Sequence, residues 1–115
     1  MKHILYLLTG LIFVACTPTT KLSSQAKQIS VVYEKPIECK MLGKETGQKV
    51  DVIGSMSLLK LRESALNDLK NKASNAGGNT LHITSMEKGW NSLWNATEYL
   101  VDGDIYECKS HAIVK

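Results

Sequence analysis

Apolar residues follow three different patterns along the chain, and each pattern predicts a different kind of segment. A continuous apolar run covers residues 4–15. Short stretches in 29–53 and 79–114 alternate apolar with polar residues, which is typical of half-buried strands. Between them, residues 57–76 place apolar side chains three and four apart, which predicts an amphipathic helix. The chain is therefore expected to have an apolar leader followed by a domain of mixed α and β structure.

The helix predicted over residues 57–76 has the strongest periodicity in the chain. One apolar stripe runs along it, formed by Leu58, Leu61, Ala65, Leu69, Ala73 and Ala76. Ser55 or Ser57 can cap its start, and Gly77-Gly78 can supply a left-handed exit. On the polar side, Asp68 and Lys72 are four residues apart in the favourable order. Because a strand-like stretch follows the two glycines, the helix is expected to pack back across a sheet.

Strand-like segments are found on both sides of this helix. They cover residues 29–33, 37–42, 49–53, 79–84, 98–101, 104–108 and 112–114. In the second, alternation places Ile37, Cys39 and Met41 on the inward face. Asp102-Gly103 either turns the two late segments into a hairpin or forms a bulge in one long strand. We expect an α+β, two-layer domain: one main helix on a mostly antiparallel sheet of about four strands, in the order β-β-α-β-β.

Residues 85–97 lack a regular pattern and contain both tryptophans, Trp90 and Trp94. One interpretation places a tryptophan over the edge of the core. The other is an exposed aromatic loop that contacts a partner or a bilayer surface.

The apolar run ends directly before Cys16. A run of this length suits a secretory signal and is too short for a bilayer span, which needs about 20 residues. Ala15 before Cys16 resembles a bacterial lipobox, in which the cysteine is acylated and becomes the new amino terminus. Residues 1–15 are therefore predicted to be a lipoprotein signal peptide, with an ordinary signal peptide or an uncleaved anchor as the alternatives. By resemblance to proteobacterial lipoproteins, Thr17 permits export to the outer membrane.

The segment after Cys16 is polar. We predict a lipidated amino terminus and flexible tether over residues 16–28, followed by the domain over 29–115. An extended tether would reach roughly 30–35 Å from the membrane.

Charge and length narrow the kind of protein. Without Lys2, which leaves with the signal peptide, the chain carries 13 basic and 11 acidic residues, a net charge of +2. This charge is too small, and too evenly spread, to indicate nucleic-acid binding. The remaining length suits one small domain.

The chain has three cysteines. Lipidation of Cys16 leaves Cys39 and Cys108, which are expected to form a disulfide in an oxidising compartment. The alternative is a redox or metal-binding pair, although no C-x-x-C motif or cluster of metal ligands accompanies them. His82 and His111 are interpreted as exposed strand or tail residues.

Three blocks stand out together: residues 38–43 with Gly47, residues 65–73 followed by Gly77-Gly78-Asn79, and residues 103–108. With these blocks the chain resembles the YjeI-like family of small proteobacterial envelope lipoproteins, a domain of unknown function. The helix-to-strand part more distantly resembles the fold of the Rcs envelope-stress sensor lipoprotein. The resemblance implies an outer-membrane lipoprotein with a disulfide across a small sheet, and no enzyme activity.

The resulting functional hypothesis is a non-enzymatic, membrane-anchored envelope lipoprotein with its domain in the periplasm. Its role would be protein interaction or a response to envelope stress, with an envelope protein as partner and without a cofactor or metal. The alternative is a small-ligand or metal-binding module, and a small envelope enzyme is the third hypothesis. No catalytic residues are predicted.

Overall fold

The computed structural model describes residues 19–109. The predicted signal peptide over 1–15, Cys16, His111 and the strand predicted over 112–114 lie outside these residues. Across the described part of the chain, no helix is both long enough and apolar enough to cross a bilayer.

Between residues 19 and 109, one α-helix and four strands follow a short 3-10 helix. The elements are the 3-10 helix Ala26–Gln28, β1 Ser30–Val32, β2 Cys39–Val50, α1 Leu58–Asn75, β3 Thr80–Asn91 and β4 Ala96–Cys108. The strands form one sheet in the order β1-β3-β4-β2. β1 pairs with β3 in parallel, and the other two pairs are antiparallel. The predicted α+β class, element order and mostly antiparallel sheet are confirmed.

The helix begins and ends where the capping residues predict. The hydroxyl of Ser57 accepts a hydrogen bond from the Lys60 N–H at 3.2 Å. Gly77 has a φ of +86°, a left-handed conformation that glycine adopts without steric cost. One face of the helix packs on the sheet and buries four members of the predicted stripe: Leu61, Ala65, Leu69 and Ala73. The two ends of the stripe, Leu58 and Ala76, are exposed.

The core lies between α1 and one face of the sheet. Its buried members are Ala26, Ile29, Ala65, Leu69, Ala73, Leu81, Ile83, Val101 and Ile105. Burying a leucine or isoleucine side chain stabilises the fold by about 1.5–3 kcal/mol. Small alanines on the helix let it approach the sheet closely.

The inward orientation predicted for Ile37 and Met41 is wrong. These side chains are 73% and 43% exposed. The pairing of β2 with β4 shifts between Met41 and Gly43, so Leu42 occupies a bulge. A bulge inserts one residue and reverses the alternation, and Leu42 is the residue that packs against the core.

Residues 85–97 are more regular than predicted. β3 continues to Asn91 and β4 begins at Ala96, so most of this stretch belongs to a long hairpin. β4 is one long strand through Asp102-Gly103, which was the second of the two alternatives, and not a hairpin. The bulge that this alternative placed at Gly103 lies instead in the partner strand, where the register of β3 shifts between Ile83 and Ser85. Trp90 and Trp94 are 61% and 57% exposed. The interpretation that one tryptophan covers the core edge is therefore wrong.

The tether predicted over residues 16–28 is shorter than expected. Its described part, residues 19–28, packs along α1. The side chains of Asn67 and Asn71 donate hydrogen bonds to the carbonyls of Thr20 and Lys21 at 3.1 and 2.9 Å. Ala26 is fully buried in the core. The domain therefore includes residues 19–28, because asparagines on the outer side of the helix bind this segment.

Candidate functional site

The predicted disulfide between Cys39 and Cys108 is present. The two sulfur atoms are 2.03 Å apart and the Cα atoms 4.4 Å apart. The two residues are register partners, so the bridge joins the start of β2 to the end of β4. The Asn79 side chain accepts from the Cys108 N–H at 2.8 Å and donates to the Cys108 carbonyl at 2.7 Å. A bridged pair has no free thiolate, so it serves structure at this end of the sheet.

The sheet face opposite the helix carries rows of polar side chains that cross neighbouring strands. In the central row, Asp102 on β4 is flanked by Thr46 on β2 and Ser85 on β3. Its carboxylate accepts hydrogen bonds from the Thr46 and Ser85 hydroxyls at 2.6 and 2.9 Å. These bonds, that from Thr46 most strongly, lower the pKa of Asp102 below its usual range. Bonding to the charged form favours ionisation, so Asp102 stays a carboxylate.

A second row lies nearer the disulfide. His82, Asp104 and Lys44 are partners across three strands. The Asp104 carboxylate is 3.7 Å from His82 Nδ1 and 3.8 Å from Lys44 Nζ. Nδ1 of His82 is buried and has no hydrogen-bond partner among residues 19–109. His82 is therefore half-buried beside a carboxylate, and its predicted exposed position is wrong.

A third row lies near the other end of the sheet. Glu98 is buried, and one carboxylate oxygen accepts from Gln48 Nε2 at 2.9 Å and from Asn91 Nδ2 at 2.8 Å. The three rows fix their carboxylates by hydrogen bonds or ion pairs within the sheet. Such a surface can bind hydrogen-bond donors.

Within the described residues, no three His, Cys, Asp or Glu side chains are grouped so that they could hold a metal ion.

A shallow depression of about 590 Å³ lies beside these rows. It is lined in part by Lys44, Thr46, Lys72, Asp102 and Asp104. The depression is therefore polar and carries charges of both signs. Most small-molecule sites are instead lined mainly by apolar side chains.

The two outer edges of the sheet differ. At β2, the Gln48 N–H donates to the Asp68 carboxylate at 2.9 Å, and Lys72 Nζ donates to the Thr46 carbonyl at 2.7 Å. Asp68 and Lys72 are also paired with each other at 3.4 Å. The helix thus satisfies backbone groups that an edge strand would otherwise leave free for pairing with another chain.

The edge formed by β3 is covered only at its beginning. β1 pairs with residues 80–82 of β3 and with no more of it. Within the described part of the chain, residues 83–91 therefore have no strand on this side. We call residues 83–91 the free edge of β3. In an antiparallel pair every second residue directs its N–H and C=O away from its partner, so this edge presents unpaired backbone groups.

Sequence reasoning located the bridged cysteines but missed these surfaces. The residues of each polar row come from three strands, and only the register brings them together. Asp68 and Lys72 were predicted to pair, yet their bonds to β2 depend on where the helix crosses the sheet. Cys16 lies outside the described residues.

The fold and the bridge define a small two-layer α+β domain with one helix and a disulfide closing one end of its sheet. A family model described as a domain of unknown function, DUF4156, matches residues 20–108. The chain belongs to this family, and the match includes most of the segment that packs along α1. The predicted membership of a YjeI-like family of unknown function is confirmed.

Relatives of similar length accompany the family match. The uncharacterized protein YjeI of Escherichia coli strain K12 is 29% identical over 120 residues, which cover 92% of this chain and 97% of that protein. The uncharacterized protein YjeI of Shigella flexneri gives the same identity and coverage.

Proposed function

We propose that this protein is a non-enzymatic lipoprotein of the bacterial cell envelope. Acylated Cys16 anchors it in the outer membrane with its domain in the periplasm, where it binds a protein partner in an interaction or envelope-stress role. The lipobox-like Ala15-Cys16 and the polar Thr17 support the anchor. A disulfide between Cys39 and Cys108 fits an oxidising compartment outside the cytoplasm.

The observation that carries the binding role is the free edge of β3. An extended peptide that adds a strand to a sheet edge gains main-chain hydrogen bonds, a recurring mode of peptide recognition. At the opposite edge, Asp68 and Lys72 bind the Gln48 N–H and the Thr46 carbonyl in the middle of β2, so the two edges are not equivalent. We infer that the partner contributes an extended segment at the free edge.

The register identifies which backbone groups face this partner. The Gln48 N–H points to Asp68, away from β4. Gln48 is opposite Leu100 in the β2–β4 register, so the backbone N–H and C=O of Leu100 point to the other neighbour of β4, which is β3. Leu100 is opposite Glu87, and the next residue, Lys88, therefore directs its N–H outwards. Two copies paired side by side at Lys88 would bring like charges together, which disfavours self-association. A partner segment with acidic residues fits this edge better.

Replacing Lys88 with proline tests the role of the edge. Proline is tolerated on an edge strand where its missing N–H faces outwards, so the domain should stay folded while one donor is lost. We expect crosslinked envelopes to yield a specific partner with the wild-type protein and much less of it with Lys88→Pro. The purified partner should show the same difference in direct binding.

The matched control is Lys88→Gln, which removes the charge and keeps the N–H. It should retain most of the binding. Equal capture by Lys88→Pro and the wild type would place the partner elsewhere, and the absence of any specific partner would contradict the interaction role. The anchor is tested separately, because Cys16→Ser should abolish incorporation of labelled palmitate and release a folded, soluble domain.

A further inference from the structure

Exposed apolar side chains are concentrated at one end of the domain. Ten large hydrophobic residues within 19–109 are exposed, and seven of them are at the end where β2 leads into α1 and where β3 turns into β4. Four lie in the β2–α1 loop and the first helical turn: Val52, Ile53, Leu58 and Leu59. Three lie at the tip of the hairpin: Trp90, Leu93 and Trp94. We call these seven residues the apolar end.

The two loops of the apolar end are adjacent and internally hydrogen-bonded. The Asp51 N–H donates to the Thr97 carbonyl at 2.8 Å, which ties the β2–α1 loop to the hairpin. The buried Asp51 carboxylate accepts from the N–H groups of Gly54, Ser55 and Met56 at 2.9, 3.2 and 3.1 Å. These bonds fix the loop with Val52 and Ile53 turned to solvent. The seven exposed apolar side chains thus share one end of the domain, and large exposed apolar patches mark interaction sites.

The hairpin tip is fixed in the same way. The Trp94 N–H donates to the Asn91 side chain at 3.1 Å. Asn95 adopts a left-handed conformation with a φ of 51°, which asparagine tolerates in a turn. The turn that carries Trp94 is thus fixed by a local hydrogen bond, and both tryptophans are exposed.

The path of residues 19–28 brings the amino-terminal side of the domain close to this end. Thr19 and Thr20 line a groove together with Lys60 and Ser64 of α1, and the Thr20 N–H lies 3.4 Å from the Ser64 hydroxyl. Ser64 is six residues beyond Leu58, which is about 9 Å along a helix. Cys16 precedes Thr19 by three residues, and three extended residues span at most about 11 Å.

We propose that the apolar end docks on the phospholipid bilayer in which Cys16 is anchored. This inference rests on the proposed lipidation of Cys16 and goes beyond it. An anchor about 11 Å from Thr19 cannot lift the domain away, so the surface beside Thr19 faces the bilayer. Tryptophan rings are enriched at membrane–water interfaces, and Trp90, Trp94 and Leu93 can enter the headgroup region. Docking would orient the opposite end of the sheet, where Cys39 and Cys108 are bridged, towards the periplasm.

The two tryptophans make the test direct, because Trp90 and Trp94 are the only ones in the chain. The lipidated protein is reconstituted into vesicles of phosphatidylethanolamine and phosphatidylglycerol, some containing lipids brominated near the headgroup. Docking predicts a blue shift of the tryptophan emission and a loss of intensity that grows with the brominated fraction. Unchanged emission from an anchored protein would overturn the proposal.

Substitutions separate docking from anchoring. A variant with Ile53→Glu and Leu93→Glu places charges on two strongly exposed side chains and should fold normally. It should remain anchored but lose the blue shift and the quenching. Ile37→Glu, equally exposed at the opposite end, should behave as the wild type.

The remaining outcomes distinguish the two proposals. If the protein carries no acyl chain but its tryptophans are still quenched on vesicles, docking stands and the Cys16 anchor fails. If the acylated protein is quenched equally with and without the two glutamates, the apolar end is not the contact. If the tryptophans are shielded only when a purified envelope protein is added, the surface binds that protein and the bilayer proposal is wrong.

Discussion

Gly47 of β2 lies directly beneath Leu69 of α1, so close that a Cβ at Gly47 would be 2.7 Å from the Leu69 Cβ. It would also clash with the Ala65 carbonyl, and neither group is the movable end of a long side chain. We therefore expect Gly47→Ala to lower the free energy of unfolding by about 1–3 kcal/mol, the usual cost of overpacking a core. Urea denaturation followed by circular dichroism measures this change.

Gly43 provides a matched control on the same strand. A Cβ there would meet nothing within 4 Å, so Gly43→Ala should leave stability nearly unchanged. Equal losses from the two substitutions would mean that strand flexibility, and not the contact with α1, determines the cost.

Cys39 and Cys108 should behave as a unit. They are separated by 69 residues, and in the loop-entropy model a disulfide that closes a loop of this size stabilises the folded state by about 4 kcal/mol. Either serine substitution breaks the same bond, so each should lower the free energy of unfolding by a similar amount and the double variant should be no worse. Thermal or chemical denaturation of the three variants measures this, and strictly additive losses would contradict it.

The helix could be predicted from the sequence because its determinants are local. Ser57, Gly77 and the stripe act within a few turns of chain; the structure places both caps as expected and buries the middle of the stripe, Leu61 to Ala73, while Leu58 at its start is exposed. The order of the strands around the helix followed from alternation, and the disulfide from the cysteine count.

Other features depend on pairing between distant strands. The bulge at Leu42 reversed the faces assigned to Met41, and its position is set by the pairing of β2 with β4. Residues 85–91 looked irregular because this part of β3 buries little beyond Met86; Glu87, Lys88 and Trp90 are exposed although they lie on both faces of the strand. The docking of residues 19–28 depends on Asn67 and Asn71, whose polar side chains look like ordinary solvent-facing helix residues.

The lowered pKa of Asp102 predicts a dependence of stability on pH. Hydrogen bonds from Thr46 and Ser85 hold this pKa below its usual range in the folded protein, while the unfolded chain has an ordinary carboxyl of about 3.9. The folded state therefore binds this proton less readily. The resulting stability is fully present above about pH 4 and is lost as the pH falls towards the folded pKa.

The measurement compares the unfolding free energies of the wild type and Asp102→Asn at neutral pH and at about pH 3. The wild type should lose more stability on acidification than the variant does. Thr46→Val removes the hydrogen bond that lowers this pKa most. An NMR titration of the variant should therefore show a higher pKa for the Asp102 carboxyl than in the wild type. Parallel losses in all three proteins would assign the acid sensitivity to other carboxylates.

Releasing residues 19–23 from α1 tests whether the short distance to the anchor matters. Asn67 and Asn71 donate to the carbonyls of Thr20 and Lys21, and Asn71 also accepts from the Ser23 N–H at 2.9 Å. Replacing both asparagines with alanine removes three bonds worth about 1 kcal/mol each, so exchange of the Ser23 amide should accelerate on the order of tenfold to a hundredfold. Hydrogen exchange measures this, and Asn75→Ala in the last turn of the same helix serves as the control.

The same double variant should change how the domain sits on the bilayer. Leu22, which packs against the core, would then be the first contact, so six residues rather than three would separate the domain from Cys16, with a reach of roughly 20 Å. A longer tether lowers the effective concentration of the apolar end at the membrane, so the tryptophan quenching in brominated vesicles should weaken while acylation is unchanged. If the Ser23 amide exchanges faster but the quenching stays at the wild-type level, the apolar end binds the bilayer strongly enough without the short connection. If neither changes, the asparagines do not hold the segment, and the distance from Cys16 to the domain is not set by them.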